Sequence, residues 1–140
     1  MLKVKLIAAA LAGSALLTLA GCATTHGSLT TSADRLERNA GELARDTRDS
    51  SAASDARQLA DQAHDFRRTV EDRRADDRDI QIAFEELSRD YHALRDEVDR
   101  SDSREDVVDL RSVTEAYLDI EREMNTSTRY ARDRDDRDRL

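Results

Sequence analysis

The sequence predicts an all-α protein: an antiparallel helical bundle or coiled-coil hairpin of three to four helices, which follows a cleaved N-terminal segment. Two observations indicate this fold class. The chain has no proline and no glycine after Gly41, so about a hundred residues pass without a helix breaker. Over the same stretch, apolar residues recur at alternating spacings of four and three, which is typical of helices that bury one face.

Residues 1–21 have the three parts of a secretory signal. Lys3 and Lys5 make the start of the chain positive, an apolar run covers residues 6–19, and small residues precede Cys22. The apolar run is shorter than the roughly 20 residues of a lasting transmembrane helix, and polar residues follow Cys22 closely. We therefore predict cleavage before Cys22, rather than an uncleaved signal anchor or a buried cysteine.

The residues around this cleavage point form a lipobox, which consists of Leu19, Ala20, Gly21 and Cys22. Over residues 1–22 the chain resembles bacterial lipoproteins as a class. The resemblance implies that the thiol of Cys22 carries a thioether-linked diacylglycerol and that Cys22 becomes the N-terminus. Ala23 in the second mature position implies sorting to the periplasmic face of the outer membrane. Because Cys22 is the only cysteine, the chain has no intramolecular disulfide.

The composition of the mature chain, residues 22–140, limits its partners. Its 119 residues allow one domain at most. It has 21 Arg, no Lys and 31 acidic residues, and this net charge of −10 disfavours nucleic acid and anionic lipid head groups. Leu, Ile, Val and Phe make up only 19 residues, a content typical of disordered chains. The helical spacing of these residues favours a folded bundle instead.

The mature chain divides into three segments: a polar tether over residues 22–31, a helical bundle over 32–125, and a charged tail over 126–140 that is either a frayed helix or disordered. We predict that Thr31 and Asp34 form an N-cap pair for the first helix. At Asp49 the helical pattern is interrupted, and two interpretations remain open. Either two helices meet there, or one helix with a stutter covers about residues 32–74.

Each predicted helix has an apolar seam. The four seams are Leu36, Ala40 and Leu43; Ala52, Ala56, Leu59, Ala63, Phe66 and Val70; Ile80, Phe84, Leu87, Tyr91, Leu94 and Val98; and Leu110, Val113, Tyr117, Ile120 and Met124. Polar turns at residues 73–77 and 101–103 separate the later helices. We expect Phe84 and Leu87, in the seam with the largest side chains, to hold the bundle together.

Few residues suggest catalytic or ligand chemistry. Asp61 and His64 have the i, i+3 spacing of metal ligands in helical bundles, and His92 lies on the next helix, but the heptad pattern places all three outside the seams, facing water. Four acidic residues around the turn at 73–77 are interleaved with arginines; they are Asp72, Asp76, Asp77 and Asp79. Nucleophile motifs and phosphate-binding glycine loops are absent from the sequence. We therefore predict no enzyme activity, cofactor, metal or small-molecule substrate.

Two functions from different classes remain. The first is a structural or protein-interaction module that is anchored in the membrane through the lipid on Cys22 and binds itself, along the seams, or another envelope protein. The second is a ligand-binding or stress- or metal-responsive regulatory lipoprotein that uses the acidic residues.

Overall fold

The computed structural model describes the backbone of residues 21–101 and 104–137, and the side chains of residues 27–101 and 109–126. These residues form four helices: α1 (Gly21–Asp46), α2 (Ser50–Glu71), α3 (Asp77–Ser101) and α4 (Arg104–Arg137). The predicted all-α class is confirmed, and the number of helices is four.

The four helices pack as a ring of antiparallel neighbours. Helix α1 contacts α2 and α4, and α3 contacts α2 and α4. Contacts between α2 and α3 run in opposite chain directions, since Gln58 bonds to Asp90 and the later Gln62 bonds to the earlier Glu86. Short connections force this arrangement, because a chain that turns within a few residues returns along its neighbour.

The core consists of the seams that the heptad spacing predicts. Phe66, Leu59 and Leu87 are fully buried, and Phe66 is the largest side chain with no exposed surface. Every predicted seam residue is buried except Phe84, which is partly buried and packs against the core from its edge. The stabilising role that we expected of Phe84 therefore belongs more to Phe66.

Helices α1 and α2 are separate, which settles the choice between two helices and one. Asp49 has extended backbone angles, φ −74° and ψ 122°, and caps α2. Its Oδ1 accepts hydrogen bonds from the backbone N–H of Ser51 at 2.7 Å and of Ala52 at 3.0 Å. These bonds satisfy donors that have no partner within the helix, so they stabilise a helix start at this point.

We predict that Asp49→Ala lowers the free energy of unfolding by about 0.5 to 2 kcal/mol, because the first turn of α2 loses its side-chain acceptor. Ser50→Ala, at the exposed neighbouring position, is the matched control. Urea unfolding followed by far-ultraviolet circular dichroism measures both. Equal midpoints for the two variants would show that the cap contributes nothing.

The turn between α2 and α3 lies at residues 72–76, close to its predicted place. Asp76 and Asp79 cap α3 reciprocally. The Oδ1 atom of Asp76 accepts from the backbone N–H of Arg78 and Asp79, both at 2.9 Å, and Asp79 Oδ2 accepts from the N–H of Asp76 at 3.1 Å. This is the reciprocal pattern of a capping box, with Asp in place of Glu.

The predicted tether at residues 22–31 is wrong, because α1 begins at Gly21 and runs through this segment. Leu29 is 3% exposed and belongs to the core, so the bundle begins before residue 32. Thr31 does not cap the helix; its hydroxyl donates to the carbonyl of Gly27 within it, at 2.9 Å. Burial of Leu29 favours helix over coil here, although the neighbouring residues are small and polar.

The other segment boundaries also differ in detail from the prediction. In the tail, α4 continues as a helix to Arg137, beyond Met124, which is the last buried residue among the side chains that the structure describes. At the predicted turn of residues 101–103, α3 ends at Ser101 and α4 begins at Arg104, while residues 102 and 103 lie outside the described part of the chain.

Candidate functional site

The predicted lipid-attachment residue Cys22 lies in the first turn of α1, directly after Gly21. Leu19 and Ala20 lie outside the described residues. Leu29 follows Cys22 by seven residues, about 10 Å of helix, so the attachment point is close to the buried core. Among the described residues, none of the helices combines the length and the apolar character that crossing a membrane requires.

Aromatic rings fill the space between α3 and α4. The rings of Tyr91 and Tyr117 are stacked with centroids 4.0 Å apart, and Phe84 stacks on Tyr117 at 6.2 Å. The hydroxyl groups have partners: Tyr117 shares a 2.8 Å hydrogen bond with Ser88, and Tyr91 donates to Thr114 at 3.1 Å. Rings in the core with bonded hydroxyls at its rim are typical of structural packing.

The surroundings of Tyr117 raise the pKa of its phenol. Burial raises the pKa of its phenol above the usual value near 10, the hydrogen bond to Ser88 lowers it, and the charges of Glu121 and Tyr91 raise it further. The folded state therefore resists the loss of this proton, while the unfolded chain ionises at the usual pH. Stability from the neutral phenol is complete below pH 10 and decreases above it.

We predict that the stability of Tyr117→Phe decreases less steeply with rising pH above pH 10 than the stability of the wild type does. The variant has no phenol to ionise at this site. At pH 7 the same change should cost about 0.5 to 1.5 kcal/mol through the lost bond to Ser88. Thermal melts at pH 7 and at several values above pH 10 measure the difference. If the difference in melting temperature between the two proteins does not narrow as pH rises, ionisation of Tyr117 does not cause the loss of stability above pH 10.

His64 does not simply face water as the heptad pattern predicts. Its Nδ1 lies 3.3 Å from Glu37 Oε1 across the α1–α2 interface and 3.2 Å from a guanidinium nitrogen of Arg67. Arg67 also donates to the other oxygen of Glu37 at 3.3 Å. The side chain of His64 keeps 42% of its surface exposed. This histidine therefore takes part in a polar contact that links two helices.

The suspected metal ligands are not brought together. His92 is exposed on α3, where its ring contacts Tyr91 at 5.3 Å and Tyr117 at 6.1 Å, whereas His64 faces α1. Asp61 is exposed on α2. Within residues 27–101 and 109–126, no three His, Cys, Asp or Glu side chains are grouped so that they could hold a metal ion.

The acidic residues at the α2–α3 turn have a structural use. Asp72 accepts from the backbone N–H of Arg74 at 2.9 Å, and Asp76 and Asp79 cap α3. Beside this turn lies an open groove of about 830 Å³ between α2 and α3, and the exposed Ile82 lies on its wall. The carboxylates of Asp72, Asp76 and Asp79 are thus committed to local backbone donors.

A set of polar contacts that sequence reasoning missed joins α1 to α4. Ser32 donates to Glu123 at 3.1 Å, and Asn39 donates to the carbonyl of Ser112 at 2.9 Å. Between them, Arg35 forms an ion pair with Asp119, which also pairs with Arg122 at 2.7 Å. The residues of each pair between α1 and α4 are more than 70 positions apart in the sequence, so no local sequence pattern indicates that they meet. Only the folded chain shows these contacts.

Intrahelical ion pairs lie on the outer surface of the bundle. Asp34 and Arg38 pair at 3.1 Å. Arg100 pairs with Glu97 at 2.7 Å, and it donates from Nε to the backbone carbonyl of Asp96. Exposed pairs of this kind contribute little to stability, and they keep the outer surface soluble.

Comparison of the chain with protein-family models, with curated proteins and with solved structures found no match.

Proposed function

We propose that the protein is a lipid-anchored component of the bacterial cell envelope that acts as a non-catalytic structural or protein-interaction module on the periplasmic face of the outer membrane. The lipobox that ends at Cys22 carries this proposal. Two structural features support it: Cys22 lies at the start of α1, and a buried core begins at Leu29. A lipid on Cys22 would therefore hold a folded domain directly at the membrane.

The surface that is left for a partner is polar. The seams of all four helices are buried within one chain, so self-association along them would require the bundle to open. In the described part of the chain, Ile82 and Leu118 are the exposed large apolar side chains, at 47% and 40% exposure, and they lie on different helices. A second copy or another envelope protein would thus bind mainly through charged and hydrogen-bonding groups, as at many non-obligate interfaces.

The metal-responsive alternative has less support. It depended on the acidic residues near the α2–α3 turn, and Asp72, Asp76 and Asp79 accept backbone hydrogen bonds there. Four arginines are interleaved with these acids or lie beside them, and they oppose the approach of a cation: Arg68, Arg73, Arg74 and Arg78. The interaction module is the better proposal.

We predict that Cys22→Ala abolishes acylation, because the thiol is the acceptor for the lipid. Cells fed a clickable palmitate analogue should label the wild type and leave the variant unlabelled, as a slower-migrating precursor. Ser28→Ala, six residues further along α1, is the matched control and should label normally. Labelling of Cys22→Ala at the wild-type level would overturn the anchoring proposal. In a separate experiment, cross-linking of the wild-type protein in intact cells, followed by mass spectrometry, would identify the partner.

A further inference from the structure

The α2–α3 end of the bundle is level with Cys22 along the bundle axis. At about 1.5 Å per residue, Cys22 lies about 36 Å from Asp46 at the end of α1. Helix α2 returns antiparallel from Ser50, and Glu71 lies about 32 Å along it. The turn between α2 and α3 therefore falls within about one helical turn of the height of Cys22.

Helix α4 brings its C-terminal end to the same height. Arg35 of α1 pairs with Asp119 of α4, and Cys22 precedes Arg35 by 13 residues. The residue of α4 that lies 13 positions after Asp119 is Arg132, and the helix continues to Arg137. One end of the bundle thus contains Cys22, the α2–α3 turn and the last turns of α4. We call it the anchored end.

Charge is distributed unevenly along this axis. At the anchored end, residues 67–79 carry five Arg and five acidic residues, and residues 129–137 carry four Arg and three Asp, which gives a net charge of +1. The body of the bundle, residues 34–66 and 80–128, carries eleven Arg and 22 acidic residues, a net charge of −11. All of the net negative charge of the mature chain therefore lies away from the anchored end.

The arginines at the α2–α3 turn are available for an external partner. Arg68, Arg73, Arg74 and Arg78 form no ion pair in the described part of the chain. The carboxylates of Asp72, Asp76 and Asp79 meanwhile accept backbone hydrogen bonds. The guanidinium groups are complementary to the phosphate of phospholipid head groups, with which they can form charge-assisted hydrogen bonds.

We propose that the anchored end docks on the phospholipid head groups and that the bundle stands upright, with its acidic body projecting from the membrane. This inference rests on the proposed attachment of lipid to Cys22. Two forces set the orientation. The α1 helix that begins at Gly21 leaves little slack between the lipid and the bundle. A negative membrane surface repels the −11 body more strongly than the balanced end.

Energy transfer from a single tryptophan to the membrane tests the orientation, since the chain contains no Trp. Arg73→Trp places the donor in the α2–α3 turn, and Arg48→Trp places it in the opposite, α1–α2 loop; both positions are exposed. The chain from Cys22 onward, which contains the whole buried core, is coupled through the Cys22 thiol to a maleimide lipid. The vesicles contain a dansyl-labelled head group as the acceptor. Uncoupled proteins with a blocked thiol control for insertion of the tryptophan itself.

Transfer should be several-fold more efficient from Arg73→Trp than from Arg48→Trp, because the two loops differ in height by more than 30 Å. The ratio of the transfer efficiency of Arg73→Trp to that of Arg48→Trp should be larger on vesicles with anionic lipid at low salt than on zwitterionic vesicles. Equal transfer from both positions, or a smaller ratio on anionic vesicles, would overturn the upright orientation. Chemical coupling makes this result independent of acylation in cells, so failure of the orientation and failure of the lipid anchor are distinguishable.

Discussion

Phe66→Ala is expected to remove most of the protein's free energy of unfolding. Phe66 has no exposed surface, it is the largest of the fully buried side chains, and its ring packs against Phe84 with centroids 6.4 Å apart. Replacing a buried Phe with Ala costs about 3 to 5 kcal/mol, because contacts are lost and a cavity remains. Small domains have total stabilities of about 5 to 15 kcal/mol, and this core contains many alanines, so we place the bundle near the lower value.

Urea titration followed by circular dichroism measures this loss in the chain from Cys22 onward. Phe84→Ala is the matched control, since the same side chain is removed from a partly buried position, and we expect a smaller loss. His92→Ala, at an exposed position, should change the stability by about 0.5 kcal/mol or less. A Phe66→Ala variant as stable as His92→Ala would mean that the helices do not pack through this seam.

Ala56→Asp is expected to have an effect of similar size, for an electrostatic reason. Ala56 has no exposed surface in the alanine-rich seam of α2, where the helices approach closely. A carboxylate at this position would lose its hydration, and burial of an unpaired charge costs several kcal/mol. The introduced group would also need space that the neighbouring side chains occupy.

Ser54→Asp is the matched control, because it adds the same carboxylate two residues away at an exposed position of α2. We expect its unfolding midpoint to stay close to that of the wild type. The loss in Ala56→Asp should diminish towards pH 4, since protonation removes the buried charge. Equal midpoints for the two aspartate variants at pH 7 would show that the alanine seam is open to water.

The secondary structure and the buried faces could be predicted from the sequence because both depend on local periodicity. Leu59, Leu94 and Val113 each belong to a seam that follows the helical repeat within its own helix, and all three are fully buried. The connection between α2 and α3 was also predictable, since a run of charged residues that contains only Ala75 as an apolar member interrupts the seam there. These signals lie within a few residues of one another, so neighbouring residues suffice to recognise them.

The start of the first helix was not predictable in the same way. Residues 22–31 are small and polar, and their composition alone is typical of a tether. Leu29 nevertheless packs into the core, and the helix extends back to Gly21. Short helical segments have little stability in water, and contact with another helix decides whether they form.

The sequence by itself determined that this protein is helical and which face of each helix is buried, and it predicts that Cys22 lies in a lipobox. Only the tertiary structure decided which helices are neighbours, that His64 meets Glu37 across the α1–α2 interface, and that Arg35 pairs with Asp119. The physical reason is that a seam requires only the repeat within one helix. A contact between helices requires their relative height and rotation, which the packing of all the buried side chains determines together.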